Sequence, residues 1–322
     1  MQNRYLNENE EFLSPFLEGI MTKQPKIILL CINAIQKFIT NQLIIEQCEN
    51  RLIEALWDCL DIPNIEELKI LQTVILILTT NYIIKDLILA KAFAICLRLH
   101  SSKAKAVTNT AAASTRQAAS AVFDKALVAL KLDQQSPTSK EPPELPCQEA
   151  ILHSFAIKDA FLLFQDICLL ANGEPPVWLS GIHNMSILLA IDIIDYILVH
   201  YSIFFVKLDN FKKLLKERVC PLSIRLLSAH GKESESNQSL DCELHSDVSF
   251  PVTVRNYHLL LTVITNFYSL LETECEIFLT NLAKQIDIDK IPWKCALALE
   301  VINRIIQQPN FIWFVPHINV LI

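Results

Sequence analysis

The 322 residues predict an all-α chain folded as an armadillo/HEAT-like α-solenoid of antiparallel helices. Three observations carry that prediction. Apolar residues recur at helical spacing along nearly the whole length, and short connections with proline near the helix starts join the segments. Glycine is scarce, with 4 residues against the roughly twenty that average usage would supply. Two stretches of different composition, 133–149 and 229–249, interrupt the pattern.

Helices are predicted at 10–20, 25–40, 43–60, 64–80, 84–100 and 108–131, then at 152–172, 184–205, 208–229, 252–272, 274–288 and 291–307, with a stub near 310–315. Ser14-Pro15 reads as an N-cap with proline at the first helical position. Over 25–40, Ile28, Cys31, Ile32, Ile35 and Phe38/Ile39 form one apolar stripe, with Lys26, Asn33, Gln36 and Lys37 elsewhere. Asn64-Ile-Glu-Glu67 reads as a capping box whose helix continues through Leu68, Leu71, Val74, Ile75 and Leu78. The segments 64–80 and 186–206 are apolar nearly all round, which predicts cover on both sides. Asp133–Gln148 holds four prolines, so no helix runs through it. Ala229–Ser249 is polar, serine-rich and acidic, the composition of a disordered insertion.

The four glycines, Gly19, Gly173, Gly181 and Gly231, cannot write a P-loop, a Rossmann fingerprint or a nucleophile elbow. Each of those needs glycine for a strained turn or a close backbone approach. The 10 cysteines form no C-x-x-C pair, and most sit in apolar runs where a thiol acts as a small hydrophobe. With a polar start and no secretory signal, a reducing cytosolic setting is expected. The most apolar segment, Ser186–Val206, carries Asp192, Asp195 and His200. A carboxylate at a bilayer centre costs about 2.5–3.5 kcal/mol on insertion scales, so the segment reads as a buried helix of a soluble protein.

No catalytic, metal or cofactor constellation emerges. Cys242/His245 and Cys96/His100 are isolated pairs, whereas zinc needs four convergent ligands. The acids Asp192/Asp195 and Glu272/Glu274/Glu276 share helix faces rather than flanking a cleft. His100, His183 and His200 read as satisfied residues at helix edges.

Charge is uneven. Residues 91–131 hold seven bases (Lys91, Arg98, Lys103, Lys105, Arg116, Lys125, Lys131) and one acid, Asp124, in a chain of net charge -7. Such a segment suits an acidic partner or an anionic membrane face, or else is balanced by acids from other helices. Arg98, Lys103, Lys105 and Arg116 are the candidate contacts, taken as exposed. Nucleic acid is disfavoured, because no aromatics are interleaved with these charges and the pI is about 5.6.

Several strings are similar to one family. They are Thr22-Lys-Gln-Pro-Lys-Ile27, Glu66-Glu-Leu-Lys-Ile-Leu-Gln-Thr-Val74, Leu78-Thr-Thr-Asn81, Arg98-Leu-His100 and Asn109-Thr-Ala-Ala-Ala-Ser-Thr-Arg-Gln117. Lys158-Asp-Ala-Phe-Leu-Leu-Phe-Gln-Asp166, Trp178-Leu, Leu214-Leu-Lys-Glu-Arg-Val-Cys-Pro-Leu222 and Phe267-Tyr-Ser-Leu-Leu-Glu-Thr-Glu-Cys-Glu-Ile-Phe-Leu279 follow in the family's order. The chain thereby resembles the Mon-two (monensin-sensitivity) proteins, relatives of the large Arf exchange factors.

The resemblance implies a DCB (dimerisation and cyclophilin-binding) unit at 1–132, N-terminally incomplete, and a Pro-rich linker at 133–149. A HUS (homology upstream of the Sec-seven domain) unit at 150–322 would follow, C-terminally incomplete and interrupted at 229–249. It further implies a non-catalytic scaffold without cofactor, peripheral on trans-Golgi and endosome membranes. Its partners would be a Dopey-family protein, an Arf-like small GTPase and a second copy in a homodimer. The alternatives are a regulatory fragment of an Arf guanine-nucleotide exchange factor and a generic armadillo-type cargo adaptor. Because Phe311–Ile322 is uncharged and apolar, self-association through the ends is expected of this chain alone. Limited proteolysis is expected to cut 133–148 and 229–249 first.

Overall fold

The computed structural model describes residues 12–43, 48–80, 84–135, 148–228, 250–286 and 292–308, and every regular element among them is a helix. The chain divides into two compact units. The first comprises Met1–Asp166 and Pro175–Asn184, the second Ile167–Glu174 and Met185–Ile322. The central part of the predicted linker, the 229–249 insertion, the 310–315 stub and the apolar end lie outside the described residues, as does Cys242/His245.

The first unit contains α1 (Ser14–Met21), α2 (Pro25–Thr40), α3 (Glu49–Cys59), α4 (Glu67–Thr79), α5 (Asp86–His100) and α6 (Lys105–Gln135), together with α7 (Gln148–Ala171) as far as Asp166. Each of the first six packs on a neighbour in sequence or on the helix two places away: α1 on α3, α3 on α5, α2 on α4, α4 on α6. That alternation makes two layers of stacked helices, the solenoid arrangement. The α2 stripe performs as its spacing requires, with Ile28, Ile32, Ile35 and Ile39 buried. Between α2 and α4, the Gln36 side-chain amide donates to Thr73 Oγ1 at 3.0 Å and satisfies a buried hydroxyl on the apolar seam. The most enclosed helix is α5, where every residue from Ala92 to Leu97 is buried. Small alanines there let three other helices, α3, α4 and α6, approach it.

The second unit contains α8 (Ile187–His200), α9 (Ser202–Lys207), α10 (Asp209–Leu214), a π segment (Leu215–Val219), α11 (Cys220–Ser228), α12 (Phe250–Phe267), α13 (Glu272–Lys284) and α14 (Pro292–Ile306). Here α12 is central, packing on α8, α11, α13 and α14. No helix among the described residues is long and apolar enough to cross a membrane. The two acids of the 186–206 segment instead mark the α8–α12 seam. Asp192 pairs with Arg255 at 2.9 Å; Asp195 lies 2.9 Å from His258 Nδ1 and accepts from the Thr262 hydroxyl at 2.7 Å.

Three local expectations need correction. Asn64 is no helix cap: its φ of 60° places it in a left-handed turn, and α4 starts at Glu67 without a side-chain cap. Asparagine tolerates that conformation, so the turn takes the role read as a capping box. Ser14 is the first helical residue rather than the cap, and its hydroxyl donates to Glu18 Oε1 at 3.3 Å. The predicted 184–205 helix divides at Tyr201 (φ −126°, ψ 32°). The break allows Phe204 and Phe205 both to be buried against Phe211, with ring centroids 5.4 and 5.5 Å away. The predicted 208–229 helix passes through the π segment just before Pro221. Proline has no N–H and its ring crowds the carbonyl four residues back, so widening the preceding turn accommodates it without ending the helix.

Candidate functional site

The structure separates the basic segment into engaged and exposed members. On α5, Lys91 pairs with Glu54 of α3 at 3.3 Å. Two helical turns further on the same seam, Arg98 pairs with Asp61 and stacks over the Trp57 ring at 5.1 Å. Arg98 is therefore half-buried and held by its own unit rather than presented outward. Lys103, Lys105 and Arg116 are exposed, at the α5–α6 connection and on the first turns of α6. Balancing by acids from another helix thus accounts for part of the segment.

A cavity of about 630 Å³ opens in the same unit, between the end of α4, the start of α5 and the middles of α6 and α7. Leu78, Ile84, Leu89, Val122 and Phe155 supply its apolar wall. Into this wall is built Asp159, only 2% exposed. Asp159 Oδ2 accepts the backbone N–H of Asp86 at 3.1 Å, so a carboxylate from α7 meets an otherwise orphan donor at the N-terminus of α5. Asp86 itself holds a left-handed φ of 51°. Asp159 Oδ1 is buried and has no hydrogen-bond donor among the described residues.

Burial pushes the Asp159 carboxyl up to about 6; the Asp86 N–H opposes this, the Asp86 charge adds to it, and Lys158 and Lys85 lower it. Desolvation lowers the ammonium of Lys125, which also lines the cavity, while the carboxylates of Glu49 and Asp159 pull it back up. Both Lys85 and Lys158 reach over the Phe155 ring, at 5.2 and 5.9 Å from its centroid.

Sequence reasoning singled out neither Asp159 nor Asp166, although the signal was present. Both acids lie on the buried stripe of α7, Asp159, Leu163, Asp166, spaced four and three apart. An acid on an apolar stripe must find donors. Asp166 finds three: it is wholly buried and accepts the backbone N–H groups of Val177, Trp178 and Leu179 at 2.9, 2.7 and 2.7 Å. That is an anchor for the loop, not a reactive site. The remaining predicted candidates stay apart: Cys96 is buried with its thiol pushed up to about 12 by desolvation, and His200 Nδ1 lies 2.9 Å from its own helix's Tyr196 carbonyl. Among the described residues no three His, Cys, Asp or Glu side chains gather as a metal site.

Comparison with known proteins places this arrangement in a family. Residues 1–129 match the "Mon2/Sec7/BIG1-like, dimerisation and cyclophilin-binding domain", and residues 156–315 match the "Mon2/Sec7/BIG1-like, HUS domain". The Homo sapiens "Protein MON2 homolog" is 38% identical over 315 residues, 95% of this chain and 18% of its own length. Its Drosophila melanogaster counterpart is 37% identical over 324 residues, 97% of this chain and 19% of its own. The similarity extends to Schizosaccharomyces pombe, at 25% over 310 residues, 96% of this chain and 17% of that protein. The chain thus spans about a fifth of the length of the curated relatives it matches. With a DCB domain, a HUS domain and similarity along nearly its whole length, the chain belongs to the Mon2/Sec7/BIG1-like family, among its MON2 homologues.

Proposed function

We propose that this chain is a non-catalytic scaffold of Golgi–endosome vesicle trafficking, peripheral on trans-Golgi and endosome membranes. It associates there with a Dopey-type protein and an Arf-like small GTPase, and with a second copy of itself through the DCB domain. The observation that carries the reading is the match to both domains in family order, the first of them on two layers of stacked helices. A solenoid's stacked repeats make extended faces for partners. The domain boundaries we favour are 1–132 and 150–322 around a linker at 133–149. Lys103, Lys105 and Arg116 are the proposed contacts with an acidic partner or anionic membrane.

A pulldown with immobilised Arf-like GTPases, paired with a fluorescent-nucleotide release assay, tests the reading. Retention of the GTPase with unchanged nucleotide release is the expected result. Accelerated release would mean that the chain is an exchange enzyme. Retention of peptide motifs in place of a GTPase or a Dopey-type protein would mean a generic cargo adaptor.

A further inference from the structure

The turn that joins α1 to α2 has no part in the contacts proposed above, yet it holds apolar and basic side chains in water. Every residue from Met21 to Ile27 is exposed. Met21, at the end of α1, is 66% exposed and Leu30, on the second turn of α2, is 70% exposed, with Ile27 at 36%. Their neighbours Ile20, Ile28 and Ile32 are buried, so the outward residues are additional to the core. One exposed apolar residue is ordinary; three around one turn, interleaved with the exposed Lys23 and Lys26, form a patch with a definite chemistry. Between Glu18 and Glu46 the sequence holds three lysines and no acid, in a chain of net charge -7. Neither Lys23 nor Lys26 takes part in an ion pair among the described residues. Glu18 lies one turn back on α1, where it accepts from the Ser14 hydroxyl at 3.3 Å.

The backbone of the turn is suited to losing water. The Thr22 hydroxyl donates to the Gly19 carbonyl at 2.7 Å and accepts the Gln24 N–H at 3.4 Å, the Lys23 N–H donates to the Ile20 carbonyl at 3.4 Å, and Pro25 has no N–H. Polar groups that are already paired lose little when their surroundings become less polar. Lys23 is held at a left-handed φ of 58°, where glycine would sit without strain, so a cation occupies this position at some torsional cost. Size separates the occupants. A stable protein interface takes about 800 Å² and 20–30 residues from each partner, far more than this turn offers. A bilayer sets no such minimum, because binding there sums the apolar area buried and the attraction to anionic lipid. Lysine stems can lie along the apolar side chains while their ammonium groups stay among the headgroups. We infer that the α1–α2 turn is a membrane-inserting wedge, with Met21, Ile27 and Leu30 entering the acyl boundary of an anionic bilayer and Lys23 and Lys26 held at its phosphates. The inference rests on the peripheral-membrane reading above but does not require Lys103, Lys105 and Arg116 to be a contact. A single apolar anchor binds only marginally, so the wedge and a basic segment act as two signals that are both needed for stable attachment.

Cosedimentation of the full chain at low ionic strength, with vesicles of phosphatidylcholine alone or with about a third phosphatidylserine, tests the wedge. The unaltered chain should sediment with the mixed vesicles and not with pure phosphatidylcholine. Met21→Ser with Leu30→Ser should lower partition into mixed vesicles about tenfold, and Lys23→Glu with Lys26→Glu about tenfold or more. Leu30→Trp, which adds an aromatic suited to the interface, should raise it. Circular dichroism confirms that each variant is folded; the positions are exposed, and Leu30→Trp reads a gain that unfolding could not mimic. If the unaltered chain fails to sediment, the peripheral-membrane reading falls and the wedge with it. If it sediments and the Met21→Ser/Leu30→Ser variant sediments equally, that reading stands and the wedge alone is overturned. The wedge is likewise overturned if that variant keeps its vesicle binding but turns a self-associated preparation monomeric by light scattering, since the patch is then a contact between copies.

Discussion

Asp159 links packing to pH. Its carboxyl titrates near 6 because burial penalises the charged form more than the Asp86 N–H and the nearby lysines offset. The folded pKa lies above the ordinary carboxylate value, so between about pH 4 and 6 the folded state binds the extra proton. Stability from this group is therefore greatest below that window and is lost as pH rises through it. A rise of about two units corresponds to about 3 kcal/mol at most. Asp159→Asn, which keeps an acceptor for the Asp86 N–H, should raise the melting temperature at pH 7 and lose its advantage near pH 4. Thermal melts of both proteins across that range measure it; parallel curves would show that Asp159 does not titrate there.

At the scale of the element, two glycines show different physical demands. Gly173 ends α7 with a φ of 75°, where the Glu174 N–H donates to the Leu169 carbonyl at 2.9 Å and the Gly173 N–H to Leu170 at 3.1 Å. This is a Schellman termination, and an added Cβ would touch nothing within 4 Å. Gly19 has the opposite problem: it sits inside α1, where an added Cβ would lie 2.5 Å from Cys31 Sγ of α2. Gly173→Ala should cost about 1 kcal/mol from backbone torsion alone. Gly19→Ala should destabilise by about 1–3 kcal/mol through overpacking. Adding Cys31→Ala should recover most of the loss at Gly19 and none at Gly173. Urea denaturation of the single and double variants distinguishes torsion from crowding.

For the whole molecule, the relevant quantity is the distribution of charge. A chain of net charge -7 presents Lys103, Lys105 and Arg116 on one connection and the helix that follows it. Exposed cations near an anionic surface contribute about 1 kcal/mol each. Reversing these three to glutamate should release the protein from vesicles containing anionic lipid in a cosedimentation assay. Raising ionic strength from about 0.01 M to 0.15 M, where the Debye length falls from about 30 Å to 8 Å, should do the same to the unaltered chain. Arg98→Glu alone should act differently, lowering the melting temperature through loss of Asp61 and the Trp57 face. If the triple reversal still sediments with the vesicles, the basic segment is not the membrane contact.

How much of this was legible beforehand follows from the range of each interaction. Helical class and the α2 stripe were set by the sequence, because burying apolar residues at a period of 3.6 requires only neighbours along the chain. The same local reasoning misplaced Asn64 and Ser14 by a turn or less, since a side chain able to cap a helix is equally able to hold a turn. Family membership was legible from ordered strings that no single helix required. Only the tertiary structure decided which charges are engaged. Arg98 meets Asp61 across 37 positions, and Asp159 meets Asp86 across 73. The cavity, too, exists only where α4, α5, α6 and α7 converge. Periodicity tells a residue which way to face; what it meets there depends on how the helices stack, and that is set by packing over distances that no local pattern encodes.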